Sequence, residues 1–213
     1  MSDGVAGLWL AVLASGVYHG ASPGMGWPLA VSAGLMERRG GAVLAALGPI
    51  ALGHFAAMAL ALLPFALLAS LLDWGREVRI GAGLIVVAFG VWRLLDRRHP
   101  RALARIPPAK LALWSFAVAL AHGAGLLLVP VVLGLCAADG PGAAGLLTAR
   151  NGGVALGVAA VHAAAMVATA GALAWATWRW LGLEFIRRSW LNVEAAWALS
   201  LIAAGGTGLA LAL

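Results

Sequence analysis

Charge is scarce in this sequence. Asp, Glu, Lys and Arg supply 10% of its 213 residues, where a soluble domain carries about 25%. No charged residue occurs from Gly4 to Met36. Carboxylates are the rarer sign, 8 against 14 basic residues, and Glu37, Asp73, Glu77 and Asp139 fall at the edges of apolar runs rather than within them. With no carboxylate pair inside an apolar run, a carboxylate acid/base enzyme and a carboxylate proton relay are both excluded. Cys136 is the single cysteine. That excludes an intramolecular disulfide, a Cys-x-x-Cys redox pair and a thiolate cluster. The N-terminal stretch "MSDGVAGLWLAVLASG" lacks the basic start of a signal peptide and is expected to be retained. The net charge of +6 comes from basic residues between apolar runs. No basic helix or aromatic platform lies outside those runs, so nucleic acid is not an expected partner.

What is present in abundance is apolar surface: 63% hydrophobic residues and a mean hydropathy of +0.97. Long charge-free stretches recur along the whole chain, which predicts an all-α membrane protein partnered by the lipid bilayer. Six transmembrane helices fit. They lie near Val5–Gly20 with an irregular continuation to about Met36, within Gly41–Leu72, and over Ile80–Leu95, Leu111–Cys136, Gly152–Trp178 and Ala195–Leu213. The second is long enough to tilt or to kink near Pro49 or Pro64. The basic residues favour one side. Arg38 and Arg39, then Arg93, Arg97, Arg98, Arg101, Arg105 and Lys110, then Arg179, Arg187 and Arg188 follow odd-numbered spans; only Arg76, Arg79 and Arg150 follow even ones. Both termini are therefore expected on the non-cytoplasmic side of a bacterial inner (cytoplasmic) membrane. Tryptophans such as Trp9, Trp74, Trp114 and Trp190 fall near span ends, as an interfacial aromatic belt would place them.

The chain also repeats itself. "YHGAS" (Tyr18–Ser22) returns as "AHGAG" (Ala121–Gly125), and "HFAAM" (His54–Met58) as "HAAAM" (His162–Met166). "LIVVAFG" (Leu84–Gly90) and "LSLIAAG" (Leu199–Gly205) form a weaker third match. Three spans per half, an odd number, forces the halves into opposite orientations, so the expected plan is two inverted three-helix repeats with a broken first helix. Residues 1–96 form the first repeat, 97–110 a basic cytoplasmic linker containing His99, and 111–213 the second repeat.

His19, His54, His122 and His162 lie inside apolar segments. An ionisable side chain at membrane depth faces a polar interior or a partner, and neutral imidazole is a common ligand of nickel, copper and zinc. His54 and Met58, like His162 and Met166, are four residues apart and share a helix face. Thioether sulfur favours Cu(I). Met25, Met58 and Met166 are accordingly auxiliary candidates beside the four histidines. Hydrogen bonding between helices and ordinary packing are the alternatives. "SPGMGWP" (Ser22–Pro28) is expected to interrupt the first helix, and broken backbone at membrane depth persists only where protein or a wet cavity satisfies it; a plain Pro/Gly kink between packed helices is the alternative.

Six spans in two inverted halves, with a histidine followed by a glycine-rich break, resemble the LysE-like superfamily. In its nickel/cobalt exporters and hydrogenase/urease accessory permeases, a His-x-x-x-x-Asp-His motif comes early; over His19–Met25 this chain has Gly24 and Met25 where the Asp and second His would be. In the UreH-like relatives of the DsbD transmembrane domain, Gly-Met-Cys-Gly-Pro follows the His; "PGMGWP" is similar but lacks the cysteine, which excludes a thiol–disulfide relay. The resemblance implies a transition-metal ion permease or metal-handling protein for copper or nickel/cobalt, not an enzyme. It would work by rocking of one half against the other. Two other expectations stand beside it: a redox subunit holding haem b between facing histidines, and a non-transporting assembly subunit in a homo-oligomer or membrane complex.

Overall fold

The computed structural model describes residues 3–71, 75–95, 106, 110–137, 144–181, 193–210 and 213. Most of the basic linker, His99, Trp74, Trp190, Arg187 and Arg188 lie outside the described residues. Within them every regular element is helical. The described residues form eight α-helices: α1 (Asp3–Ala21), α2 (Trp27–Glu37), α3 (Gly40–Leu71), α4 (Gly75–Leu95), α5 (Leu111–His122), α6 (Ala124–Ala137), α7 (Ala144–Ala176) and α8 (Val193–Ala210). A 3-10 turn, Pro23–Met25, joins α1 to α2, and a π turn, Thr177–Leu181, extends α7.

Three of these helices are long and apolar enough to cross a bilayer over Gly4–Ala21, Gly40–Leu68 and Ala149–Trp180. The pair α5 and α6 makes a fourth candidate span, bent by 67°. The apolar stretches of α4 and α8, Ile80–Trp92 and Ala198–Ala210, are shorter. Outward faces carry Leu10, Leu44, Leu52, Leu60, Leu84, Ile85, Leu113 and Leu199, all exposed. Such a leucine-covered exterior suits lipid rather than water.

The sequence explains both breaks. Ser22 precedes a proline, which pushes it to extended backbone (φ −69, ψ 123) and ends α1. Pro23 opens the 3-10 turn and Pro28 the first turn of α2, where a missing N–H costs nothing. Gly26 takes φ 102 between them, and a Cβ there would stand 2.8 Å from the Trp114 ring. The indole of Trp27 donates to the Ala21 carbonyl at 3.4 Å, stitching the break together. The second break interrupts the span read from the sequence over Leu111–Cys136. Gly123, at φ 69 and ψ 35, ends α5 in the left-handed conformation and sends its N–H back to the Ala119 and Leu120 carbonyls. Pro49 and Pro64, by contrast, are carried inside a continuous α3.

The two longest helices, α3 and α7, pack against each other at the centre. α1 lies on α7 and α5 on α3, while α4 and α8 pair with each other beside α6. Glycine sets the closeness of these seams. A Cβ on Gly16 would lie 2.6 Å from the His162 carbonyl oxygen and 2.7 Å from Ala165 Cβ, and one on Gly20 would overlap the Met166 carbonyl. Gly16 and Gly20 form a small-xxx-small pair that lets α1 touch the α7 backbone. Gly53 does the same for α3 against α5, where a Cβ would overlap the Ala112 carbonyl. Ser115 adds a buried hydrogen bond from its hydroxyl to the Ile50 carbonyl at 2.8 Å.

Candidate functional site: an imidazole layer beside a broken helix

The apolar interior falls into two clusters. One contains Val12, Ala57, Met58, Leu62, Val158 and Ala159; the other contains Trp27, Val43, Ile50, Met166 and Ala170. Between them, on α3, stands His54, and at the matching level of α7 stands His162. His19 projects from the end of α1 into the same layer. Ring centroids are 5.5 Å apart for His19 and His54, 5.0 Å for His19 and His162, and 5.4 Å for His54 and His162. The first two pairs meet edge to face, and the third is stacked with an interplanar angle of 12°. Solvent exposure is 1%, 1% and 0% for the three.

Several polar atoms in this layer have no hydrogen-bond partner: Nε2 of His54 and both ring nitrogens of His162. The Val12 carbonyl is near the His162 ring but outside hydrogen-bonding geometry. A buried polar atom left unmatched costs about 1–3 kcal/mol. The arrangement is therefore expensive for a purely structural cluster.

His122 stands apart from this trio. It ends α5, is 6% exposed, and donates from Nδ1 to the Val118 carbonyl at 3.0 Å. Its other nitrogen lies beside Gly24, in the break of the first helix. It remains within electrostatic reach of His19 and His54. Of four histidines expected at one site, three share a layer and the fourth borders it. The methionines distribute differently again. Met58 is fully buried in one apolar cluster and Met166 in the other, while Met25 is buried at the break.

No group of three or more His, Cys, Asp or Glu side chains stands at metal-holding geometry among the described residues. No protein-family model matches this chain, and no curated protein or solved structure matches it either. What fold and site define is a class: an all-helical protein whose apolar helices are compatible with a membrane, with a layer of buried imidazoles at its centre.

Proposed function

We propose that the protein is an integral membrane permease or handling protein for a transition-metal ion, copper or nickel/cobalt, and that the imidazole layer is where the ion binds in passage. The observation that carries this reading is the spacing of the three rings together with their unmatched nitrogens. With metal–nitrogen bonds of about 2.0–2.1 Å, three imidazoles on one tetrahedral or trigonal ion have centroids about 5.2–5.5 Å apart. The trio has 5.0–5.5 Å. Binding one ion through all three would require the rings to turn from the arrangement seen. Imidazole is suited to nickel, copper and zinc alike.

The order of elements supports a repeat of the LysE-like kind. A helix broken just after a histidine, a helix of about thirty residues and a shorter helix occur twice in succession. The packing is also reciprocal, with the first helix of each half lying on the long helix of the other. We read this as two inverted three-helix halves, so that His19 and His122 correspond, as do His54 and His162. The trio's close packing favours a bare ion over haem b, because a porphyrin needs a flat slot between its two axial imidazoles.

The test is elemental analysis and an absorption spectrum of protein purified without chelators, followed by titration with Ni(II), Co(II) and Cu(I). The expected result is one ion per chain, lost in His54→Leu, with no Soret band. Met25→Leu should weaken Cu(I) more than Ni(II). A parent protein that binds none of the three ions defeats the reading.

A further inference from the structure

Among the described residues, the buried polar side chains on α3 and α7 are His54, His162 and Asn151. Asn151 lies eleven residues before His162, three turns or roughly 16 Å away on the same helix face. The layers between are apolar: Leu62 and Ala66 of α3 and Ala155, Val158 and Ala159 of α7 are fully buried. The Asn151 amide donates from Nδ2 to the Ala66 carbonyl at 3.5 Å, and Arg150 beside it donates from its guanidinium to the Cys136 carbonyl, also at 3.5 Å. The start of α7 is thus tied to the final turns of α3 and α6. Both ties are long, and Oδ1 of Asn151 has no hydrogen-bond partner. A buried acceptor left unmatched costs at least as much as one such bond gives, so an apolar side chain of similar size would close the seam more firmly.

The next two residues are Gly152 and Gly153. Glycine inside a helix weakens it, and adjacent small residues are common points of bending. The chain has two other adjacent glycine pairs, Gly40 with Gly41 and Gly205 with Gly206. In each of those, packing accounts for one member: a Cβ on Gly40 would lie 2.8 Å from the Trp175 ring, and one on Gly205 would lie 2.8 Å from a Val87 methyl. A Cβ on Gly152 or Gly153 would meet nothing within 4 Å among the described residues. Neither glycine has a positive φ. Close approach and turn geometry therefore do not call for glycine here, and what the pair supplies is compliance.

We infer that Gly152 and Gly153 form a hinge and that Asn151 with Arg150 is the latch it works against. The first turns of α7, residues 144–151, swing away from α3 and α6 and open this end of the seam. The latch is weak enough to release, and its polar groups find water as partners when it does. Beyond the hinge Leu62, Ala155 and Val158 stay packed, so the swing uncovers the end of the seam at Ala66 and Cys136 without unsealing the imidazole layer. The device requires no bound ion and stands independently of the metal reading.

Cys136, the single cysteine, makes the swing measurable. It is buried on the last turn of α6, and its carbonyl is the one that Arg150 holds. The full chain in lipid nanodiscs is mixed with N-ethylmaleimide, and labelling of Cys136 is followed by mass spectrometry. Gly152→Ala combined with Gly153→Ala stiffens the helix without adding a contact and should slow labelling at least tenfold. Asn151→Ala unties the latch and should speed it at least fivefold. Gly48→Ala, at a helical glycine of α3 that is equally open, should label at the parent rate. A parent rate in the double alanine variant overturns the hinge, and a parent rate in Asn151→Ala overturns the latch. Equal slowing in Gly48→Ala shows that labelling runs through unfolding of the whole chain and overturns the local swing. So does a parent protein whose cysteine labels only after denaturation. If Asn151→Ala fails to fold, the double alanine variant and Gly48→Ala decide.

Discussion

Gly16→Ala gives the sharpest test of how the site is held. The added Cβ would sit 2.6 Å from the His162 carbonyl oxygen and 2.7 Å from Ala165 Cβ. Ordinary contact between such atoms begins near 3.4 Å, so α1 must retreat from α7 by about 0.8 Å, and a gap of that size forfeits a quarter to a half of the dispersion energy of the atoms it separates. Overpacking of this kind costs roughly 1–3 kcal/mol. Against it stands the gain of about 1 kcal/mol that alanine has over glycine in a helix. Gly48→Ala isolates that gain, because Gly48 is exposed and has no neighbour within 4 Å. Gly16→Ala should therefore unfold at a lower denaturant concentration than Gly48→Ala in mixed micelles. It should also lose Co(II) affinity, because the retreat draws His19 away from His162. Equal or greater stability of Gly16→Ala would refute the close approach of α1 to α7 and the site geometry built on it.

Three further outcomes are expected. Replacing His162 by Leu removes two unmatched nitrogens, so the metal-free protein should be as stable as the parent or about 1–3 kcal/mol more stable, while Co(II) binding falls at least tenfold; a histidine serving only to hydrogen-bond helices would show the reverse in the same unfolding and binding titrations. Gly123→Ala forces a left-handed non-glycine residue, costing roughly 1–2 kcal/mol, and puts a Cβ 2.8 Å from Phe89 Cδ1; chemical unfolding should register at least that loss. A reporter active only outside the cytoplasm should be active when fused after Leu213, and an inactive fusion alongside an active cytoplasmic reporter would contradict the inverted plan.

The parts that could be read from the sequence are those in which one residue type dictates backbone. Pro23, Gly26 and Pro28 announced the first break, and the long charge-free runs announced apolar helices. The second break was harder. Gly123 lies in an uninterrupted apolar run with no proline beside it, and only the match of "AHGAG" to "YHGAS" hinted that the helix ends there. The histidines marked the polar layer, but spacing alone cannot say how a ring turns. His122 uses Nδ1 on the carbonyl one turn back and faces the break instead of the trio. The methionines show a second limit. A residue four positions from a histidine shares its face but lies one turn, about 5.4 Å, along the axis. Since the polar layer is one side chain thick, that step carries Met58 and Met166 into the apolar clusters on either side.

The pairing of α1 with α7 has a consequence for how the chain is made. His19 emerges near the start of synthesis and His162 about 140 residues later. At ribosomal speeds of about 5–20 residues per second that is a wait of roughly 7–30 seconds. Throughout it, α1, with its polar side chain and its bare faces at Gly16 and Gly20, lacks the helix that covers it. The polar layer is thus assembled late, when the seventh helix arrives. A chain stalled or cleaved before α7 leaves His19 and the glycines of α1 without the helix that buries them.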